Sequence, residues 1–191
     1  MHQLLDALPK GSLGGALVTP PLVVGLGSHH GDDQAGWLVL TRLQERGYPD
    51  ARLVRLQHPA DLLDVIDAEQ FLEPPTVVPP LRRRDIRSAE RPDYSRALVI
   101  CDACVGGGPP GTIHCFRWPT DRLVYQRPSG SHDMSLGDVM ELGRQLRCFP
   151  EAAQMWTVEA ESWSGGSEPS AAVQSAAVRV ADAIWKDCHD A

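Results

Sequence analysis

The chain has 191 residues and a formal net charge of −7, from 18 Lys+Arg against 25 Asp+Glu, and that length gives a single domain as its prior. The acidic balance argues against general nucleic-acid binding, which needs a basic face for phosphates. A composition 42% hydrophobic and 23% charged is that of a soluble globule, not of a disordered chain.

No apolar run approaches the roughly 18–20 residues that cross a bilayer, which excludes a membrane protein. Residues 1–20 carry Gly11, Gly14, Gly15 and Pro20 between short apolar pieces and lack the basic start and continuous apolar core of a secretory signal. They read as an irregular extension ahead of a domain at 21–191. Cys101, Cys104, Cys115, Cys148 and Cys188 are odd in number and irregular in spacing, as expected of reduced thiols in a cytoplasmic protein.

The first element is Leu22 to Leu26, an apolar run suited to a strand buried on both faces, broken by Gly27-Ser28-His29-His30-Gly31. A helix follows, with Asp32 and Asp33 in its first turn, Ala35, Leu38, Val39 and Leu43 at helical spacing, and Gly47 as its stop. A strand at 51–56 and a helix at 61–68 come next. From about 70 to 96 five prolines forbid regular structure, and Arg82, Arg83, Arg84, Arg87 and Arg91 make the segment locally basic. A connection of that length is an insert, either a lid or docking surface or a mobile loop.

Ala97 to Asp102 reads as a central strand ending in an acid. A Gly/Pro cluster at 106–111 turns the chain into a strand at 112–116. Ser129 to His132 forms a polar loop before a helix at 135–145, Met155 to Ala160 is the last strand, and an Ala/Val-rich helix runs from 171 to 185. Strands alternating with helices predict an α/β protein, a three-layer α/β/α sandwich around a twisted, mainly parallel sheet of the phosphorylase/hydrolase-like kind.

Ligands of open α/β sheets gather at the carboxyl ends of strands. Three polar segments fall there: Gly27–Asp33, Asp102 and Ser129–His132. Each has a bland reading, as capping acids, a structural strand-end carboxylate or a turn histidine. Together, two carboxylates and an imidazole would make an O,O,N site with open positions, suited to a first-row divalent metal. Other chemistries fit less well. Gly25-Leu26-Gly27-Ser28-His29-His30 lacks the third glycine of a dinucleotide fingerprint. Cys101-Asp102-Ala103-Cys104 has no second C-x-x-C, so core packing is expected of Cys101. No G-x-S-x-G elbow accompanies Ser129 and Ser131. His29 and His30 are candidates to lie beside a ligand set but not within it.

In this order the motifs resemble those of the [NiFe]-hydrogenase maturation proteases. Residues 22–28 and 32–36 resemble that family's strand, G-x-G-N and D-[DE]-G-x-G. Residues 99–103 and 107–114 are similar to its V-D-A and G-x-x-P-G-T, and 129–136 to its S-S-H before a helix. The resemblance runs over about 21–70 and 97–187. It implies a metal-directed endopeptidase that removes the C-terminal peptide of a nickel-iron hydrogenase large-subunit precursor after nickel insertion. Nickel would be supplied by the substrate or shared with it, and another divalent metal could take its place. By position, the implied catalytic and metal-holding residues are Asp33, Asp102 and His132. Ser28 stands where the family has Asn and Gln34 where it has Gly. Those departures and the insert leave a non-proteolytic relative, binding metal or a partner through the retained site, as the alternative. A nucleoside or small-ligand hydrolase on a similar sandwich ranks third.

Overall fold

A computed structural model describes residues 20–68, 98–119, 134–146, 148–150, 153–161, 163–164 and 166–189. The proposed N-terminal extension and the 70–96 insert therefore lie outside the described residues, apart from Pro20.

Among the described residues, five strands form one sheet in the order β2-β1-β3-β5-β4: β1 (Leu22–Leu26), β2 (Leu53–Leu56), β3 (Leu98–Cys104), β4 (Ile113–Trp118) and β5 (Ala153–Glu159). All pairings are parallel except that of β4 with β5. The helices are α1 (Ala35–Glu45), α2 (Asp61–Ala68), α3 (Leu136–Gln145) and α4 (Ala171–His189).

The period-2 geometry of a strand divides the core into two. Val23, Val99, Cys101, Ala103, Trp156 and Val158 pack with buried residues of α1 and α4. Leu22, Val24, Leu26, Leu98, Ile100 and Met155 pack with those of α2 and α3. Every residue of β1 is buried, the expected signature of a strand covered on both sides. The result is the expected three-layer sandwich.

Local signals account for the helix ends. Ser135 caps α3: its hydroxyl accepts from the Asp138 amide while Asp138 reaches back to the Ser135 amide, a reciprocal box that satisfies two orphan donors. Gly47 follows α1 with φ +86, a conformation cheap only for glycine. The acids do not open α1 directly. Gly31–Gln34 is a 3-10 turn and α1 begins at Ala35.

Glycine sets how closely α1 approaches the sheet. A Cβ on Gly36 would lie 2.3 Å from the Leu26 carbonyl oxygen and 2.4 Å from that of Cys101. A Cβ on Gly25 would meet the Gly36 carbonyl at 2.6 Å. Only two facing glycines let the start of α1 rest on β1 and β3 at this separation.

Candidate functional site

From β1 the chain moves outward to β2, then returns to place β3 on the other side of β1. The strand order thus reverses between β1 and β3, and open α/β sheets offer a ligand crevice at that point, outside the strand carboxyl ends. Two sequence-predicted residues fall there. Asp33 lies in the 3-10 turn that follows β1, with its own carbonyl stacked so closely on Gly27 that a Cβ there would come within 2.2 Å. Asp102 lies on β3, one residue beyond the Cys101 carbonyl that Gly36 covers. Both are buried, at 6% and 3% exposure. Carboxylates that deep need partners, and Asp102 Oδ1 accepts from the Ala103 amide at 2.8 Å.

One expectation is corrected. β3 does not end at Asp102 but continues through Ala103 and Cys104, which pair with Val158 and Glu159 of β5. Asp102 is therefore inside the ladder, on the α2/α3 side of the sheet by alternation with Ile100. The third predicted residue, His132, lies with Ser129 and Ser131 outside the described residues. Where the chain resumes, it enters α3, on that same side of the sheet.

The neighbouring acid, Asp32, has a different environment. Its carboxylate is fully buried and accepts from the Ser170 amide at 2.6 Å, the Glu161 amide at 2.7 Å and the Ser170 hydroxyl at 3.1 Å. It anchors the first loop to the segment between β5 and α4. Gln34 adds to the same junction, its amide donating to the Ser167 carbonyl, which also accepts from Gly31. A glycine at position 34 would lack that link. His29 is exposed and packs edge-on to Trp37, and exposed His30 shares a hydrogen bond with Ser28.

Cys101 is buried in the α1/α4 core, as expected. Cys104 projects from the opposite side of β3, so the C-x-x-C pair is split by the sheet. Cys104 instead meets His114 and Glu159, a grouping that the sequence reading missed. Glu159, 2% exposed, accepts through Oε1 from the Gly107 amide at 2.8 Å and the Cys104 thiol at 3.3 Å, and lies 2.9 Å from His114 Nε2. Burial, the largest cause, pushes the Cys104 thiol up to about 12. The only local sign of this cluster is that a polar residue stands at each of three inward positions, in Ile113-His114-Cys115, Val158-Glu159-Ala160 and Ala103-Cys104-Val105.

No protein-family model matches the chain, and no curated protein does either. Solved structures do. A [NiFe] hydrogenase maturation protease HycI from Thermococcus kodakarensis KOD1 superposes with a TM-score of 0.59 at 20% identity, over 89% of this chain and 92% of that one. The chain has the fold of the hydrogenase maturation proteases. The maturating endopeptidase HybD from E. coli gives a TM-score of 0.57 at 21% identity, over 90% and 94% of the two chains. The E. coli endopeptidase HycI gives 0.56 at 17% identity, over 87% and 89%. The fold agrees with the resemblance seen in the sequence over about 21–70 and 97–187.

Proposed function

We propose that the chain is a hydrogenase maturation endopeptidase that removes the C-terminal peptide of a nickel-iron hydrogenase large-subunit precursor once nickel is in place. Its support is the coincidence of two independent observations. The motifs resemble that family in order, and two of the three positions they single out, Asp33 and Asp102, are buried acids, one on the turn after β1 and one on β3, the strands between which the sheet order reverses. Proteins bearing that activity in name share the fold.

In this reading Asp33, Asp102 and His132 grip the nickel carried by the substrate, and the O,O,N set leaves positions open for the substrate's own donors and for water. A carbonyl or water polarised there is more readily joined in amide attack, and one of the two carboxylates accepts the water's proton. Neither acid is singled out as that base. Asp32, already engaged by three donors, holds the loop that presents Asp33. Gln34 is accommodated as a tether to Ser167, so its departure from the family pattern has a structural role compatible with proteolysis.

Incubation with nickel-loaded precursor should shorten it by its C-terminal peptide, and Asp102→Asn or His132→Ala should abolish the cleavage. Wild-type protein that leaves the precursor intact, while still binding it, would favour the non-proteolytic alternative. Equal processing by wild type and variants would reject the residue assignment.

A further inference from the structure

We propose that Cys104, His114 and Glu159 form a second cation site, of zinc-like selectivity, which clamps the glycine turn after β3 to the antiparallel edge of the sheet. One ligand atom from each residue lies within 4.8 Å of the other two. The residues come from three adjacent strand ends: the last position of β3, the second of β4 and the last of β5. Register brings them together. Cys104 is opposite Glu159, and β4 runs antiparallel so that its beginning meets the end of β5.

The donor set decides the class of ion. A thiolate sulfur, an imidazole nitrogen and a carboxylate oxygen suit a borderline divalent cation and are poor for magnesium or calcium, which want oxygen throughout. Tetrahedral coordination with bonds of ~2.0–2.3 Å puts ligand atoms roughly 3.3–3.8 Å apart. The Sγ to Oε1 separation is 3.3 Å and that of Nε2 to Oε1 2.9 Å. A modest opening of the side chains seats an ion, without movement of the ladder.

Two further features suit a cation. Glu159 is buried, yet its partners here are a thiol, a ring nitrogen and a backbone amide, none of them a permanent cation. A buried carboxylate gains most from a full positive charge. The wall facing it is Gly107, where a Cβ would lie 2.4 Å from Glu159 Oε1 and 2.8 Å from His114 Nε2. The turn thus approaches the cluster as bare backbone, and a bound ion fixes it through the residues at both of its ends. Three protein ligands leave a fourth position for water. The site is separate from the Asp33/Asp102 crevice, since Cys104 stands two residues farther along β3 than Asp102, about 7 Å at strand rise. It does not depend on the peptidase reading.

The test uses metal-free full-length protein titrated with cobalt(II), with zinc as competitor. The expected result is one equivalent bound with a thiolate-to-cobalt charge-transfer band, displaced by zinc. Cys104→Ser abolishes the band, and Glu159→Gln and His114→Gln each weaken binding by more than about tenfold. Absence of the band in wild type, or its survival in Cys104→Ser, overturns the site. Should the serine variant fail to fold, wild type alone decides. One equivalent of zinc must shield Cys104 from iodoacetamide in peptide mass mapping, and unchanged alkylation at Cys104 overturns the proposal. Precursor processing is not read in any arm, so failure here leaves the peptidase assignment to its own test.

Discussion

Replacing Asp32 with alanine is expected to cost far more stability than an average substitution, because the two adjacent acids have different tasks. The Asp32 carboxylate is completely buried and accepts hydrogen bonds that include two from backbone amides at 2.6 and 2.7 Å. Those lengths belong to charged acceptors, for which the net contribution is about 1.5–3 kcal/mol each. The hydroxyl contact at 3.1 Å adds roughly 1 kcal/mol. The full sum overstates the loss, since water can reach part of the vacated space and the loop at 161–170 can relax. A loss of ~3–5 kcal/mol is expected, by analogy with breaking a buried charged pair. Against a typical total of about 5–15 kcal/mol this is a large share. Asp32→Asn keeps one acceptor but turns an NH2 toward the other donor, so its cost lies between none and the full loss. Urea unfolding followed by tryptophan fluorescence reads the change as a shifted midpoint at constant slope. Asp32→Ala and Ser170→Ala both remove the hydroxyl contact, so the double variant should lose slightly less than the sum of the singles. A loss below about 1 kcal/mol for Asp32→Ala would refute the anchoring role. So would an Asp32→Asn protein of full stability that no longer processes precursor, since Asp32 would then belong to the chemistry.

Three other outcomes follow from the packing and the titrating groups. Gly36→Ala should destabilise by about 1–3 kcal/mol or more, since its Cβ would press on two strand carbonyls, whereas Gly137→Ala in α3 should stabilise by ~0.5–1 kcal/mol; equal effects in urea unfolding would contradict the close approach of α1. Ser135→Ala should cost ~1 kcal/mol through loss of the α3 cap, read in the same assay. Stability should fall as pH rises above the ordinary thiol range. Burial, first among the causes, holds the Tyr48 phenol above its usual value and pushes the Cys188 thiol up to about 11. The unfolded chain then releases protons that the folded chain retains, and the folded state loses ground with each step in pH. Cys188→Ala should flatten that alkaline slope by up to one proton, and an unchanged slope in a pH series of melts would count against it.

What the sequence disclosed was largely local. β1 and α2 run as the apolar spacing of Leu22–Leu26 and Asp61–Ala68 indicates, because each signal lies within the element itself. The extension of β3 past Asp102 was not legible, since Ala103 and Cys104 carry no strong strand signal of their own and become strand through pairing with Val158 and Glu159. The same holds for the start of α1: acids in sequence before an apolar stripe suggest a first helical turn, yet the three donors from 161–170 draw Asp32 into a 3-10 turn. Asp33 and Asp102 stood out in the sequence because an acid that follows an apolar run needs a reason, and both are buried. Cys104, His114 and Glu159 were missed because 10 and 45 residues separate them successively in sequence, and a C-x-x-C pattern draws the eye to Cys101, which the sheet puts on the other side.

The two groups of polar residues share a cause. A mainly parallel sheet covered on both faces has little room for charge within its layers, so carboxylates collect where strands run out. Along this rim the strands end at different heights. β1 stops at Leu26, while β3 and β5 continue together to Cys104 and Glu159. By register Asp102 stands level with Leu26, where β1 ends, and the turn that carries Asp33 follows that same strand end. Farther along, where β3 and β5 finish as a pair, the antiparallel β4 closes the corner and brings His114 against Glu159. A single staggered sheet edge thereby separates the two buried carboxylates Asp33 and Asp102 from a corner that includes sulfur. Metals of different softness would be sorted between them by ligand chemistry rather than by distance.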